Sequence, residues 1–216
     1  MVLRVVLEQL DPETLCVEAD WSLDREDLSF IEELLGVEFP PGDGWAFDLS
    51  AEELAAIGHR YRLLGESVAA PGRLRTRNRM DELPYKTHTG RELKLMLTGV
   101  KPMAVFSTRH PVVGGESEVC EQPFGKWANN GRLCRYEDVV PDGDDAERGI
   151  LYYIYTLPEE SWRANAFLFL KRAAAKSGWS VGMERLEGML LGYTDREMDL
   201  FIEMMFHDSF AAIRSR

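Results

Sequence analysis

Apolar and polar residues alternate along the first stretch of the chain, through Val2, Arg4 and Val6 and again through Leu15 and Val17, with "LDPET" between the two runs. A period of two interrupted by a turn predicts an antiparallel strand pair. The period then lengthens. In "SLDREDLSFIEELLG" the apolar stripe is Phe30, Ile31, Leu34 and Leu35, Asp24 stands where an N-cap belongs, Leu23 and Leu28 bracket it as a staple, and Gly36 supplies the stop. A helix is expected there. The break "FPPGDG" is followed by "LSAEELAAIGHRYRLL", in which Ser50 and Glu53 have capping-box spacing and Leu49 with Leu54 forms the accompanying staple.

Residues 65–84, "GESVAAPGRLRTRNRMDELP", sustain neither period and place arginine at alternate positions, Arg73, Arg75, Arg77 and Arg79. Their Gly and Pro punctuation predicts a mobile basic linker. In "LPYKTHTGRELKLMLTG", which comes next, Thr89 and Glu92 repeat the capping-box spacing ahead of an apolar-periodic run. "KPMAVFS" reads as a short buried strand. The turn pairs Asn130-Gly131 and Asp142-Gly143 separate runs around 120–127, 133–140 and 150–156, which together predict a meander, with Pro123 weakening the first run as a central strand. The C-terminal part has helical period: "PEESWRANAFLFLKRAAAKSG" with Trp162, Ala166, Phe169 and Leu170, then helices over Val181–Leu191 and Asp195–Ile213, the last opened by Thr194 and Glu197.

The expected fold class is α+β: an antiparallel sheet, made of the meander and the N-terminal strand pair, with a C-terminal three-helix segment packed on it. It is read as one domain over 1–216, with an acidic N-terminal subdomain 1–64, the basic linker 65–84 and a main subdomain 85–216.

At 216 residues with 45% hydrophobic composition, the chain can bury a sizeable core, which excludes a disordered class. The three cysteines, Cys16, Cys120 and Cys134, are odd in number and lack paired spacing, so neither a disulfide framework nor a zinc site is indicated and a reducing compartment is expected. The first residues meet Glu8 and Asp11 before any long apolar region forms, and no segment approaches the roughly 20 apolar residues of a membrane span. A cytoplasmic protein without membrane attachment is the expectation.

Charge changes the picture more than composition does. The net charge is -12, but Met1 to Arg60 carries 15 Asp and Glu against 3 Lys and Arg, whereas Tyr61 to His110 carries 10 Lys and Arg against 4 Asp and Glu. An acidic lobe is followed by a basic belt. The overall sign works against a nucleic-acid partner, whose phosphates need a positive footprint.

Lys86, His88, Arg91 and Lys94 surround the helix start expected at Thr89, where the helix dipole disfavours cations. Something negative is therefore expected opposite them. It is either the acidic lobe itself or a bound anion held by Lys86, His88, Thr89 and Arg91, with Arg75 and Arg77 of the basic run contributing guanidinium forks. Other chemistry fails on spacing. "CEQPFGKW" lacks the first glycine and the Ser or Thr of a phosphate loop, "GDGWAF" lacks the third glycine of a dinucleotide fingerprint, and Asp199, Glu203 and His207 form a helical stripe that reads as an exposed charged face. No metal or cofactor is expected, and no catalytic residue is assigned.

Met183, Met189, Met198, Met204 and Met205 fall in the last two helices, as core filling or as a partner or homodimer surface. Two functional expectations result. The first is a non-catalytic regulatory or protein-interaction module, adaptor-like or immunity-like, whose acidic lobe meets a basic partner. The alternative is an enzyme or sensor for a small phosphate- or carboxylate-bearing ligand around Thr87–Arg91.

Overall fold

The computed structural model describes residues 5–23, 28–39, 45–63, 70–76, 79–112, 118–142 and 145–214. The chain divides into two compact units, Met1–Arg91 and Glu92–Arg216, and its class is α+β.

The first unit contains β1 (Val5–Leu10), β2 (Val17–Leu23), α1 (Leu28–Leu35), β3 (Ala46–Leu49), α2 (Ala51–Arg60) and β4 (Gly72–Thr76). Its strands form an antiparallel sheet in the order β2-β1-β4-β3. Period two sends Val5, Leu7, Leu23 and Leu74 to one face, where they pack with Leu28 and Ile31 of α1 and Leu54 and Ile57 of α2. Burying a side chain of this size stabilises the fold by about 1.5–3 kcal/mol. A Cβ at Gly72 would lie 2.9 Å from Leu54 Cδ1, so the absent side chain is what lets α2 approach β4. The capping box at the start of α2 is formed: Glu53 N donates to Ser50 Oγ at 3.2 Å and Ser50 N donates to Glu53 Oε2 at 2.8 Å. The alternate residues Val6, Glu8, Asp20, Ser22 and Arg75 fall on the opposite face, which is therefore charged.

The second unit contains α3 (Glu92–Leu97), β5 (Met103–His110), α4 (Glu118–Asn129), β6 (Cys134–Asp142), β7 (Asp145–Thr156), α5 (Trp162–Ser177), α6 (Val181–Leu191) and α7 (Asp195–Arg214). Its antiparallel sheet has the order β5-β7-β6. Met103, Val140 and Ile154 pack against Ala164, Phe167 and Leu170 of α5 and Leu190 of α6. On the other face Phe124 of α4 meets Phe106 and Tyr155, with ring centroids 5.0 and 4.7 Å apart. The box at Thr194 and Glu197 is formed, with Thr194 N donating to Glu197 Oε2 at 2.8 Å and Glu197 N to Thr194 Oγ1 at 3.3 Å.

Several local expectations are corrected. The strand pair and the hairpin of the meander belong to separate sheets. The 120–127 run is not a strand but lies in α4, where helical geometry buries Phe124, and β5 supplies the third strand instead. Residues 72–76 of the expected linker form β4, a central strand: the alternate arginines are a period-two signal, with Leu74 between them facing the core. Helix α3 begins at Glu92, not before it. Thr89 and Gly90 form a turn in which Gly90 has φ 73° and Arg91 N donates to His88 O at 2.9 Å, so Glu92 is the first helical residue and not the third. In α5 the buried residues are Ala164, Phe167, Leu168 and Leu170, while Trp162 and Phe169 of the expected stripe are 54% and 75% exposed. The expected N-cap Asp24 lies outside the described residues. Among the described residues no helix is long and apolar enough to cross a membrane.

Candidate functional site

The register of β1 and β2 sets Glu8 directly opposite Asp20. Two carboxylates facing each other about 5 Å apart repel by roughly 3 kcal/mol at an effective dielectric near 20. The pair is tolerated because each acid is met by cations from elsewhere in the unit. Arg75, on the neighbouring strand β4, donates from Nε to Glu8 Oε1 at 2.7 Å, and its Nη1 and Nη2 reach Asp81 as a two-bond fork at 2.8 Å each. Asp20 is held by Lys86 Nζ at 2.7 and 2.5 Å and by Arg91 Nη2 at 2.8 Å, while Arg91 Nε donates to Val17 O at 3.3 Å.

These contacts fix the ionisation of the site. Burial by itself would raise the Asp20 carboxyl, but the hydrogen bonds and charges of Lys86 and then Arg91 outweigh it and hold Asp20 below its ordinary value. The fork to Asp81, followed by the bond to Glu8, holds the Arg75 guanidinium above its ordinary value against the effect of burial. Asp20 is ionised at neutral pH. It is an electrostatic anchor and a poor proton carrier there, since general acid–base work needs a pKa near the working pH.

Over this charged face of the sheet lies a cleft of about 440 Å³, bordered on its other side by the segment from Met80 to Arg91. Four of the residues expected at an anion site, Arg75, Lys86, Thr89 and Arg91, line it together. His88 is buried at 9% exposure, is not part of the lining, and uses its carbonyl to close the turn with Arg91 N. Arg77 lies outside the described residues. The helix-start rationale is also revised: α3 has six residues and begins after Arg91, and what lies opposite Lys86 and Arg91 is Asp20.

Sequence reasoning missed Glu8, Asp20 and Asp81. Glu8 carried one readable signal, an acid inside the otherwise apolar run "VVLEQL", where a buried charge calls for a partner. Asp20 and Asp81 carried none, because their roles depend on strand register and on the return of the chain over the sheet.

Elsewhere, Cys16 is buried and Cys134 half-buried, and neither is in a disulfide among the described residues. Asp199 accepts from Arg185 Nη2 at 2.5 Å, and no group of three or more His, Cys, Asp or Glu arranged for a metal ion occurs among the described residues. Of the methionines in α6 and α7, Met198 is buried against Gly188, whereas Met189 and Met205 are exposed. No family model, curated protein or solved structure matches this chain.

Proposed function

We propose that the chain is a non-catalytic protein-interaction module whose acidic N-terminal unit meets a basic partner. The observation that supports this most directly is the pairing of the belt: Arg73 donates to Asp48, Arg75 to Glu8 and Asp81, and Lys86 and Arg91 to Asp20. Within Met1–Arg91 there are 18 Asp and Glu against 10 Lys and Arg. With these cations held on carboxylates of their own unit, an acid surplus is left for the surface, where Glu33, Glu38 and Glu52 are exposed. A surface of one sign attracts a partner of the other, speeds their encounter, and does so less as salt rises.

The test is cross-linked capture with the wild type and with the triple variant Glu33→Lys, Glu38→Lys, Glu52→Lys, at about 0.05 M and about 0.5 M salt. The expected result is a basic protein held by the wild type at low salt, released at high salt, and lost by the variant at unchanged thermal stability. Identical captures by both forms, insensitive to salt, contradict the proposal.

The second reading is a sensor for a small ligand with a carboxylate or phosphate. It is supported by the convergence of Arg75, Lys86, Thr89 and Arg91 on one cleft. A bare anion there has to compete with Asp20 for both Lys86 and Arg91.

A further inference from the structure

We infer that the outward face of α5 pairs with the same face of a second copy of this chain, the two helices running antiparallel about a twofold axis between Asn165 and Phe169. This goes beyond the acidic-surface reading and does not depend on it.

Helix α5 carries apolar residues all round. Ala164, Phe167, Leu168 and Leu170 are buried in the core with the sheet and α6, while Trp162 and Phe169 stand on the open side, Phe169 at 75% exposure. A helix of that composition calls for a neighbour on both sides. Trp162 is already held in place: its Nε1 donates to Glu160 Oε2 at 3.1 Å, and the Arg163 guanidinium carbon lies 4.8 Å from its ring centroid. An aromatic ring fixed before association loses little entropy on burial, which suits an interface anchor.

The symmetry of the open stripe selects a second copy as the occupant. Trp162, Asn165, Phe169 and Arg172 are all exposed and follow one another at intervals of three, four and three residues. That spacing reads the same in both directions, so reversal about its midpoint lays the stripe on itself. Phe169 then meets Asn165 of the second copy, and Trp162 meets Arg172 of the second copy. Arg172 Nη2 donates to Asp138 Oδ2 at 2.6 Å, a bond in the guanidinium plane that leaves the flat face for an indole ring.

Charge follows the same reversal. Glu159 stands just before the helix and Lys176 in its last turn; both are exposed, and neither is in an ion pair among the described residues. The twofold axis brings Glu159 within one position of Lys176 of the second copy, once at each end. Phe and Trp side chains bury roughly 150–250 Å² each, so the open parts of the four rings offer on the order of 500 Å² of apolar area. Even with the flanking groups this falls short of the roughly 2,000 Å² of permanent interfaces and fits reversible association at micromolar concentration.

The experiment is sedimentation equilibrium of the full chain from about 1 µM to about 200 µM. The expected result is a monomer–dimer equilibrium with a micromolar Kd. Phe169→Glu should be monomeric throughout at unchanged thermal stability, and Asn165→Glu, which sets a carboxylate opposite Phe169, replaces it if the first variant does not fold. Glu159→Lys and Lys176→Glu should each weaken the dimer at least about threefold, and the two combined should recover it, because opposite charges then face each other again. The inference is overturned if the wild type stays monomeric over the whole range, or if the variant at Phe169 or Asn165 dimerises as tightly as the wild type. It is also overturned if the combined charge variant is no tighter than the single ones, or if the wild-type monomer floats with phosphatidylcholine vesicles and Phe169→Glu does not, which assigns the face to a lipid surface.

Discussion

Lys101 is 2% exposed and donates from Nζ to the Leu191 carbonyl at 3.1 Å, closing the C-terminal end of α6, with the Tyr193 ring centroid 5.4 Å away. Burial lowers its pKa to about 8, against the opposing attraction of Glu92. In the unfolded chain a lysine titrates near about 10.4. Between these two values the unfolded chain holds more protons than the folded one, so stability rises with pH. The cost of the buried charge is fully present below the folded pKa and gone above the unfolded one, while the neutral amine still donates to Leu191. Tyr152, pushed up by burial and then by Glu187, acts in the opposite sense only above its ordinary value near about 10. Denaturant unfolding of the wild type and of Lys101→Met should therefore shift in favour of the wild type by on the order of 2 kcal/mol between about pH 7.5 and about pH 9.5. A difference that stays flat over that range contradicts the burial of a charged lysine.

At the scale of elements, β4 separates local from long-range information. Leu74 is fully buried in the central strand, whereas Arg73 on the other face pairs with an exposed Asp48. Leu74→Ala should destabilise the chain by about 2–5 kcal/mol, and Arg73→Ala by less than about 1 kcal/mol. Similar small losses from both, measured by thermal or urea unfolding, contradict the assignment of 72–76 as a core strand. The sequence pattern around β1, β2, α2, α6 and α7 was readable because caps, stops and periods act over a few residues, as the boxes at Ser50 and Thr194 illustrate. The role of β4 was not, because Gly and Pro nearby mask a five-residue strand whose partner Glu8 lies 65 positions from Arg73. The buried face of α5 was misread for another reason: Trp162 and Phe169 are as apolar as Phe167, and only the position of the sheet decides which of them is covered. Within the cleft, the cations were legible as an excess of charge. Their partners were not, since Glu8 faces Asp20 only through register.

At the scale of the whole molecule, the acidic and basic blocks of the sequence explain each other in part. The belt supplies the countercharges that let carboxylates stand side by side on a sheet face, and the acids beyond those pairs give the surface its sign. Both functional readings rest on that arrangement: an acid surplus once the cations are held on carboxylates of their own unit, and a cleft on which Arg75, Lys86, Thr89 and Arg91 converge. Asp20 contributes stability above its unfolded pKa, and that contribution is lost as pH falls through its depressed folded value. The most direct measurement is a carboxylate-detected NMR titration of Asp20 in the wild type and in Lys86→Met with Arg91→Met. The account predicts a wild-type midpoint below the ordinary value of about 3.9, rising above it in the double variant, where burial acts without opposing cations. A wild-type midpoint at or above that value, or one that the double substitution leaves unmoved, contradicts the pairing on which the account depends.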